Sequence, residues 1–152
     1  MGFDIIYGVD RLVVPEKTVS RYPYPEPHRQ SDERGGPVDD EGLELLTTLA
    51  FLAANTSIAR LLTSVMILPY RSPVLTAKML ATIDVLSQGR LIVGCGLGWM
   101  REEFESLGTH PFNERGAVTD EYIQAFKELW TSDNPNFEGK YCHFSKITFL
   151  PK

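Results

Sequence analysis

The sequence predicts an α/β protein built on a parallel sheet, and three observations carry that expectation. Short apolar runs alternate with segments of helical periodicity in the order strand, helix, strand, helix, strand. The stretch 61–95 has the size of one strand–helix–strand crossover, about 35 residues. The strands read as near-continuous apolar runs rather than alternating ones, as strands covered by helices on both faces do. With 43% hydrophobic and 23% charged residues in 152, the composition suits one soluble folded domain, residues 1–152.

The elements follow in order. "FDIIYGVDRLVVP" supplies a short buried strand from Ile5, Ile6, Tyr7 and Val9, ending at the polar pair Asp10-Arg11. Residues 15–37 carry Pro15, Pro23, Pro25, Pro27 and Pro37 among many charges, which rules out helix or central strand and predicts a long surface loop. In "DDEGLELLTTLAFLAANTS" the acids suit a helix N-terminus, with Leu43, Leu46, Ala50 and Ala53 on one face, widened by Leu45, Leu49 and Leu52. "ARLLTSVMILPY" is a strand stopped by Pro69. "SPVLTAKMLATIDVLSQG" is a helix with Ser72 as N-cap, Pro73 at its first position and Gly89 at its end. "RLIVGCG" is the next strand, and "TDEYIQAFKELW" a helix presenting Tyr122, Ile123, Phe126, Leu129 and Trp130. Residues 136–150 predict a β-hairpin excursion rather than a further sheet strand.

Several function classes are excluded. A net charge of −5 without a basic stripe argues against nucleic acid as a partner. The N-terminus lacks the basic and apolar regions of a signal peptide, and no apolar run approaches the roughly 20 residues that cross a bilayer. A cytoplasmic protein without membrane association is expected. Cys95 and Cys142 occur in unrelated contexts, and His110 and His143 lack nearby ligand-type partners, so no metal site is expected. His28 falls in the proline-rich loop, where a solvated side chain is the ordinary reading.

The chemical-looking stretch is "GRLIVGCGLGW". Gly94, Gly96 and Gly98 stand on alternate positions, whereas the dinucleotide fingerprint needs G-x-G-x-x-G and an acid at the end of the next strand. Trp99 occupies the place where that fingerprint wants its third glycine, and no Gly-Lys-Ser/Thr offers a phosphate loop. Alternate glycines empty one face of a strand, either for tight packing or for a flat ligand lying close to the backbone. Spacing alone leaves those two readings level. "REEFE", just beyond, reads as exposed helix acids, with Glu102 or Glu103 near the mouth of a site as the other reading.

"LTSVMILPYRSPVLTAKMLATIDVLSQGRLIVGCGLGWMREEFESLG", with the later "PFNERGAVTDEYIQAFKELW" and "FEGKYCHFSKITFLPK", resembles the luciferase-like monooxygenase superfamily, most of all its branch dependent on the deazaflavin F420. The resemblance runs over almost the whole chain. It implies a TIM (β/α)8 barrel of which this sequence covers about strands 2 to 4, with the cofactor ring at the C-terminal strand ends. It implies a cis peptide bulge at Ser64-Val65 behind that ring, with the strand of Gly94, Gly96 and Gly98 along one side of it; Trp99, just past the glycines, reads as a ligand contact or as core packing. The acid–His pair that serves many relatives in proton transfer is matched here by Asp10-Arg11. Arginine does not give up its proton at neutral pH, so Arg11 would orient an anionic group or Asp10 would handle the proton. The resemblance further implies hydride transfer between F420 and a small organic substrate, with FMN and molecular oxygen as the alternative. A chain covering part of a barrel would expose sheet edges, so a homo-oligomer is expected, and a non-catalytic chain that only self-associates is the third reading.

Overall fold

A computed structural model describes residues 2–23 and 42–152. Strand β1 (Ile5–Gly8) leads, after a long connection, to helix α1 (Leu45–Asn55), strand β2 (Arg60–Ile67), helix α2 (Pro73–Ser87) and strand β3 (Leu91–Gly96). Helices α3 (Arg101–Leu107) and α4 (Arg115–Thr131) follow, then strands β4 (Phe137–Glu138) and β5 (His143–Phe144). β1, β2 and β3 form one sheet in that order, with both pairings parallel. β4 and β5 pair antiparallel in a separate two-stranded ribbon. The portion of the expected proline-rich loop from residue 24 to 37, His28 included, lies outside the described residues.

The core lies between one face of the sheet and helices α1, α2 and α4. Leu46, Leu49, Leu61, Met66, Leu80 and Leu129 are buried there, and Ile6, Leu91 and Val93 pack against them from the strands. Side chains alternate along a strand, so the partners of those residues turn to the opposite face. Tyr7 is accordingly 67% exposed, and Ile5 and Val9 are exposed as well, which corrects the expectation of a buried first strand. β1 is an edge strand, and only Ile6 of that run meets the helical layer.

Local chemistry sets the helix ends. α1 begins later than its acids suggest: Glu44 is the N-cap, its Oε2 accepting from Thr47 N at 2.7 Å, and Leu43 is exposed outside the helix. α2 starts at Pro73 with Ser72 in the cap position, but the serine hydroxyl makes no capping bond. It ends on Gln88 and Gly89, both left-handed, with Gly89 N donating to Asp84 O at 2.9 Å. α4 starts four residues before the expected Thr119, because Arg115 anchors the entry through Phe112 O at 3.0 Å and Gly98 O at 3.1 Å. The β4–β5 turn is tied to α4 by Glu121, whose carboxylate accepts from the amides of Lys140, Tyr141 and Cys142. At the N-terminal end of the sheet Arg90 uses all five of its N–H donors on Ser87 O, Thr56 Oγ1, Ala59 O, Ala53 O and Thr56 O, locking α1 to β2 and β3.

Candidate active site

Three parallel strands bring the segments after β1, β2 and β3 to one end of the sheet, where loops are free to carry chemistry. The central feature is a bulge in β2. Thr63 pairs with Val93 and Met66 with Cys95, so three steps along β2 are matched by two along β3. The Ser64–Val65 peptide in that bulge is cis, and both residues are exposed, Val65 at 45%.

The bulge interrupts the ladder opposite Gly94, and a side chain repairs it. Thr63 Oγ1 accepts from Gly94 N and donates to Gly94 O, each at 2.8 Å. A Thr63→Val chain keeps the shape but orphans both backbone groups in a buried place. It is expected to lose about 2 kcal/mol or more in a urea melt, and an unchanged midpoint would refute the repair.

The glycines have their explanation in the same joint. A Cβ on Gly94 would strike the Thr63 carbonyl oxygen, and one on Gly96 would stand 2.5 Å from Val65 Cγ2. Gly94 and Gly96 face away from the helices, since Leu91 and Val93 face them. The space they leave is thus taken up by the bulge of β2, with Val65 lying across them. Gly98 has φ +78°, and a Cβ there would meet Phe104 at 2.8 Å and Ile67 at 2.9 Å. Of the two readings left level by spacing, tight packing accounts for all three glycines directly.

Asp10 and Arg11 diverge. Asp10 is buried, with its oxygens accepting from Arg71 Nη1 and Nη2 at 2.7 Å each and from Ile67 N at 2.8 Å. Arg71 also donates to Glu44 Oε1 at 2.7 Å. Burial works against the Arg71 charge, but the Asp10 and Glu44 carboxylates outweigh it and hold the guanidinium above its ordinary pKa. Asp10 is therefore committed to tying the ends of β1 and β2 together. Arg11 instead lies 5.9 Å over the Trp99 ring, with Nη1 3.5 Å from Met100 Sδ and 3.5 Å from Glu103 Oε2.

Of the two readings of Glu103, the exposed helix acid is corrected by the structure: it is 1% exposed. Its Oε2 accepts from the Tyr70 hydroxyl at 2.7 Å and its Oε1 from Leu12 N at 3.4 Å. Burial, reinforced by the Glu103 carboxylate, pushes the Tyr70 pKa up, so the hydroxyl stays a donor. Tyr70, Ile67 and Phe104 form a second apolar cluster here, with Leu12 and Phe112 against it.

Glu102 faces the other way. Its Oε1 accepts from Val19 N at 2.6 Å and Ser20 N at 2.9 Å, while Arg101 N donates to Ser20 Oγ at 3.1 Å. The segment after β1 is thereby strapped to the start of α3, and Tyr22 stands edge-on to Trp99 with centroids 5.2 Å apart. Desolvation is the largest single influence and opposes the Glu102 charge, but the Ser20 hydroxyl and the Ser20 and Val19 amides together outweigh it and bring the carboxyl from 4.5 to about 2. A pKa depressed on docking means the tether is complete above about 4.5 and released as pH falls toward about 2. Amide NMR shifts of Val19 and Ser20 are expected to move through that window and to be insensitive to it in Glu102→Gln; invariance in the parent chain would remove the tether. The remaining histidine near this end, His110, is hydrogen-bonded to the Tyr122 hydroxyl at 2.9 Å. Among the described residues no group of His, Cys, Asp or Glu converges as a metal site requires, and no helix is long and apolar enough to cross a membrane.

Parallel strands linked by helices, with a bulge inside β2 and the connecting segments gathered at one end of the sheet, are the architecture of part of an α/β barrel. The chain belongs to the luciferase-like monooxygenase family, whose description matches residues 7–152. It is 38% identical over 119 residues to the pyrimidine monooxygenase RutA of Bradyrhizobium sp., covering 71% of this chain and 32% of that protein. It is 36% identical over 103 residues to the FMNH2-dependent dimethylsulfone monooxygenase of Pseudomonas fluorescens, covering 66% of this chain and 28% of the relative. The crystal structure of monooxygenase RslO1 from Streptomyces bottropensis superposes with a TM-score of 0.74 at 29% identity, over 99% of this chain and 39% of that one. The chain thus spans about a third of the length of the two curated relatives.

Proposed function

We propose that the chain forms the ring-facing part of a reduced-flavin oxidoreductase acting on a small organic molecule, with FMN and molecular oxygen as its reactants. The observation that carries this is the exposed Ser64–Val65 bulge in the C-terminal half of β2, in a chain whose named relatives include an FMNH2-dependent monooxygenase. The residues fit the ring of such a cofactor: Val65 offers an apolar surface seated on Gly94 and Gly96, and Trp99 and Arg11 stand beside the same strand ends. In this reading the three glycines support the ring through Val65 rather than by touching it.

Reduced FMN, when bound, supplies the two electrons that turn one atom of O2 into water while the other enters the substrate. The chain's own part is positional. Val65 and Ser64 would support the ring, and Trp99 would stand beside it. The strap of residues 19–22, held by Glu102, brings Tyr22 against Trp99. Arg11 provides a fixed positive charge, and Asp10, with its oxygens engaged, moves no proton.

The F420 reading rests on the sequence resemblance and differs in sending a hydride to or from the substrate without oxygen. Fluorescence titration with FMN and with F420 separates the two. Binding of FMN at tens of micromolar or tighter, weakened at least tenfold by Val65→Asp, is expected. Preference for F420 would transfer the assignment, and binding of neither would leave a chain whose activity is association.

A further inference from the structure

We propose that Arg11 is the anchor for an oxyanion of the small-molecule substrate, a carboxylate or sulfonate, and that Glu103 is the positioning residue that aims it. The inference rests on the strand ends being the substrate site, as argued above, and it names the class of substrate that site takes.

Two of the arginines at this end of the sheet, Arg71 and Arg11, are used differently. Arg71 is saturated: three bonds of 2.7 Å run to Asp10 and Glu44. Arg11 spends only Nη1, at 3.5 Å from both Met100 Sδ and Glu103 Oε2, and its side chain is 27% exposed. Among the described residues nothing accepts from its Nε or Nη2. That edge of a guanidinium presents parallel N–H groups in a plane, the geometry that matches a carboxylate or sulfonate with two bonds.

Among the described residues, Asp10, Glu102 and Glu103 each accept from donors other than that edge of Arg11, and Glu102 Oε2 accepts from none. Asp10 is neutralised by Arg71, and Glu102 is turned onto the Val19 and Ser20 amides. Glu103 is held from behind by the Tyr70 hydroxyl and the Leu12 amide. It therefore acts as a fixed post for Nη1, 3.5 Å away, while the guanidinium lies 5.9 Å from the Trp99 ring centroid and the side chain stays 27% exposed. A long flexible side chain ordered in advance binds an anion without a further entropic cost.

The test uses Trp99 as the reporter, in a Trp130→Phe background that leaves it the sole tryptophan. Titration with methanesulfonate is expected to give a saturable fluorescence change with Kd on the order of millimolar, and neutral dimethyl sulfone none. Arg11→Lys keeps the charge but loses the two-bond geometry, and should weaken binding about tenfold; Arg11→Leu should abolish it. Glu103→Gln should weaken it by a similar factor while FMN affinity is unchanged, a split that general misfolding would not produce. Equal responses to the sulfonate and the sulfone, or an Arg11→Leu chain that still binds, would overturn the proposal. Anion binding without FMN binding leaves this inference standing and removes the flavin reading; FMN binding without anion binding does the reverse. Inorganic phosphate serves as the third arm: tighter binding than methanesulfonate would assign Arg11 to a phosphate and overturn the substrate role.

Discussion

An Asp10→Ala chain is expected to be about 3–5 kcal/mol less stable than the parent in urea denaturation. The Asp10 side chain is 0% exposed and accepts three hydrogen bonds, two of them from one guanidinium. Removing it leaves Arg71 largely buried with Glu44 as its remaining acid, and leaves the Ile67 amide without an acceptor. Both losses are of the expensive kind, because the desolvated partner remains behind. Asp10→Asn is informative beside it. An amide still accepts from Ile67 N but turns an NH2 toward Arg71, so a large loss of stability is expected here too. A proton-carrying Asp10 would behave oppositely, with stability kept and a pH limb of activity removed. A midpoint that stays within about 0.5 kcal/mol of the parent would return Asp10 to the chemistry.

Gly94→Ala carries the second large effect, about 2–3 kcal/mol. Its added methyl meets the Thr63 carbonyl oxygen, part of a backbone held by the flanking ladder and by the Thr63 hydroxyl, so one strand must shift. Gly96→Ala meets the side chain of Val65 instead, which has rotamers to yield, and the loss there should be smaller. Gly116 is the control: it lies in α4 with nothing within 4 Å of a new Cβ, and alanine there should be neutral or stabilising by up to about 1 kcal/mol. The order Gly94 worse than Gly96 worse than Gly116, read from thermal melts, checks the packing account. Equal effects at Gly94 and Gly116 would sink it. Amide shifts for Val93 to Cys95 should move in Gly94→Ala, because the joint with β2 lies there.

Much of the fold was legible because its signals are local. The apolar runs at Leu61–Ile67 and Leu91–Val93 mark β2 and β3, and Pro73 and Gly89 mark the ends of α2. The boundaries that shifted were those set by distant partners. α4 starts at Arg115 because that guanidinium reaches Gly98 O, and α1 starts at Leu45 because Glu44 both caps it and meets Arg71. Tyr7 looked buried because an apolar run says nothing about which of its faces is covered.

The site divides along the same line. Arg11, Trp99 and the Ser64–Val65 pair were identifiable as residues; the structure puts Arg11 after β1, Trp99 after β3 and the Ser64–Val65 peptide inside β2, before the pairings of Met66 and Ile67. Their relations were not legible. Glu103 and Glu102 are adjacent acids on one short helix, yet one is sealed beneath Tyr70 and the other holds the segment after β1. Thr63 had no sequence signal at all: a threonine in a strand is ordinary until the neighbouring ladder loses a rung.

By itself the sequence determined the α/β class, the order of elements and the kinship with luciferase-like enzymes, because periodicity, caps and motifs are properties of neighbouring residues. Only the tertiary structure decided that the glycines seat a bulge, that Asp10 ties two strands while Arg11, among the described residues, keeps donors free, and that Glu103 is buried. Those outcomes depend on pairs 31 to 91 residues apart, and no local pattern records which side chain will fill a space or which charge will meet its partner.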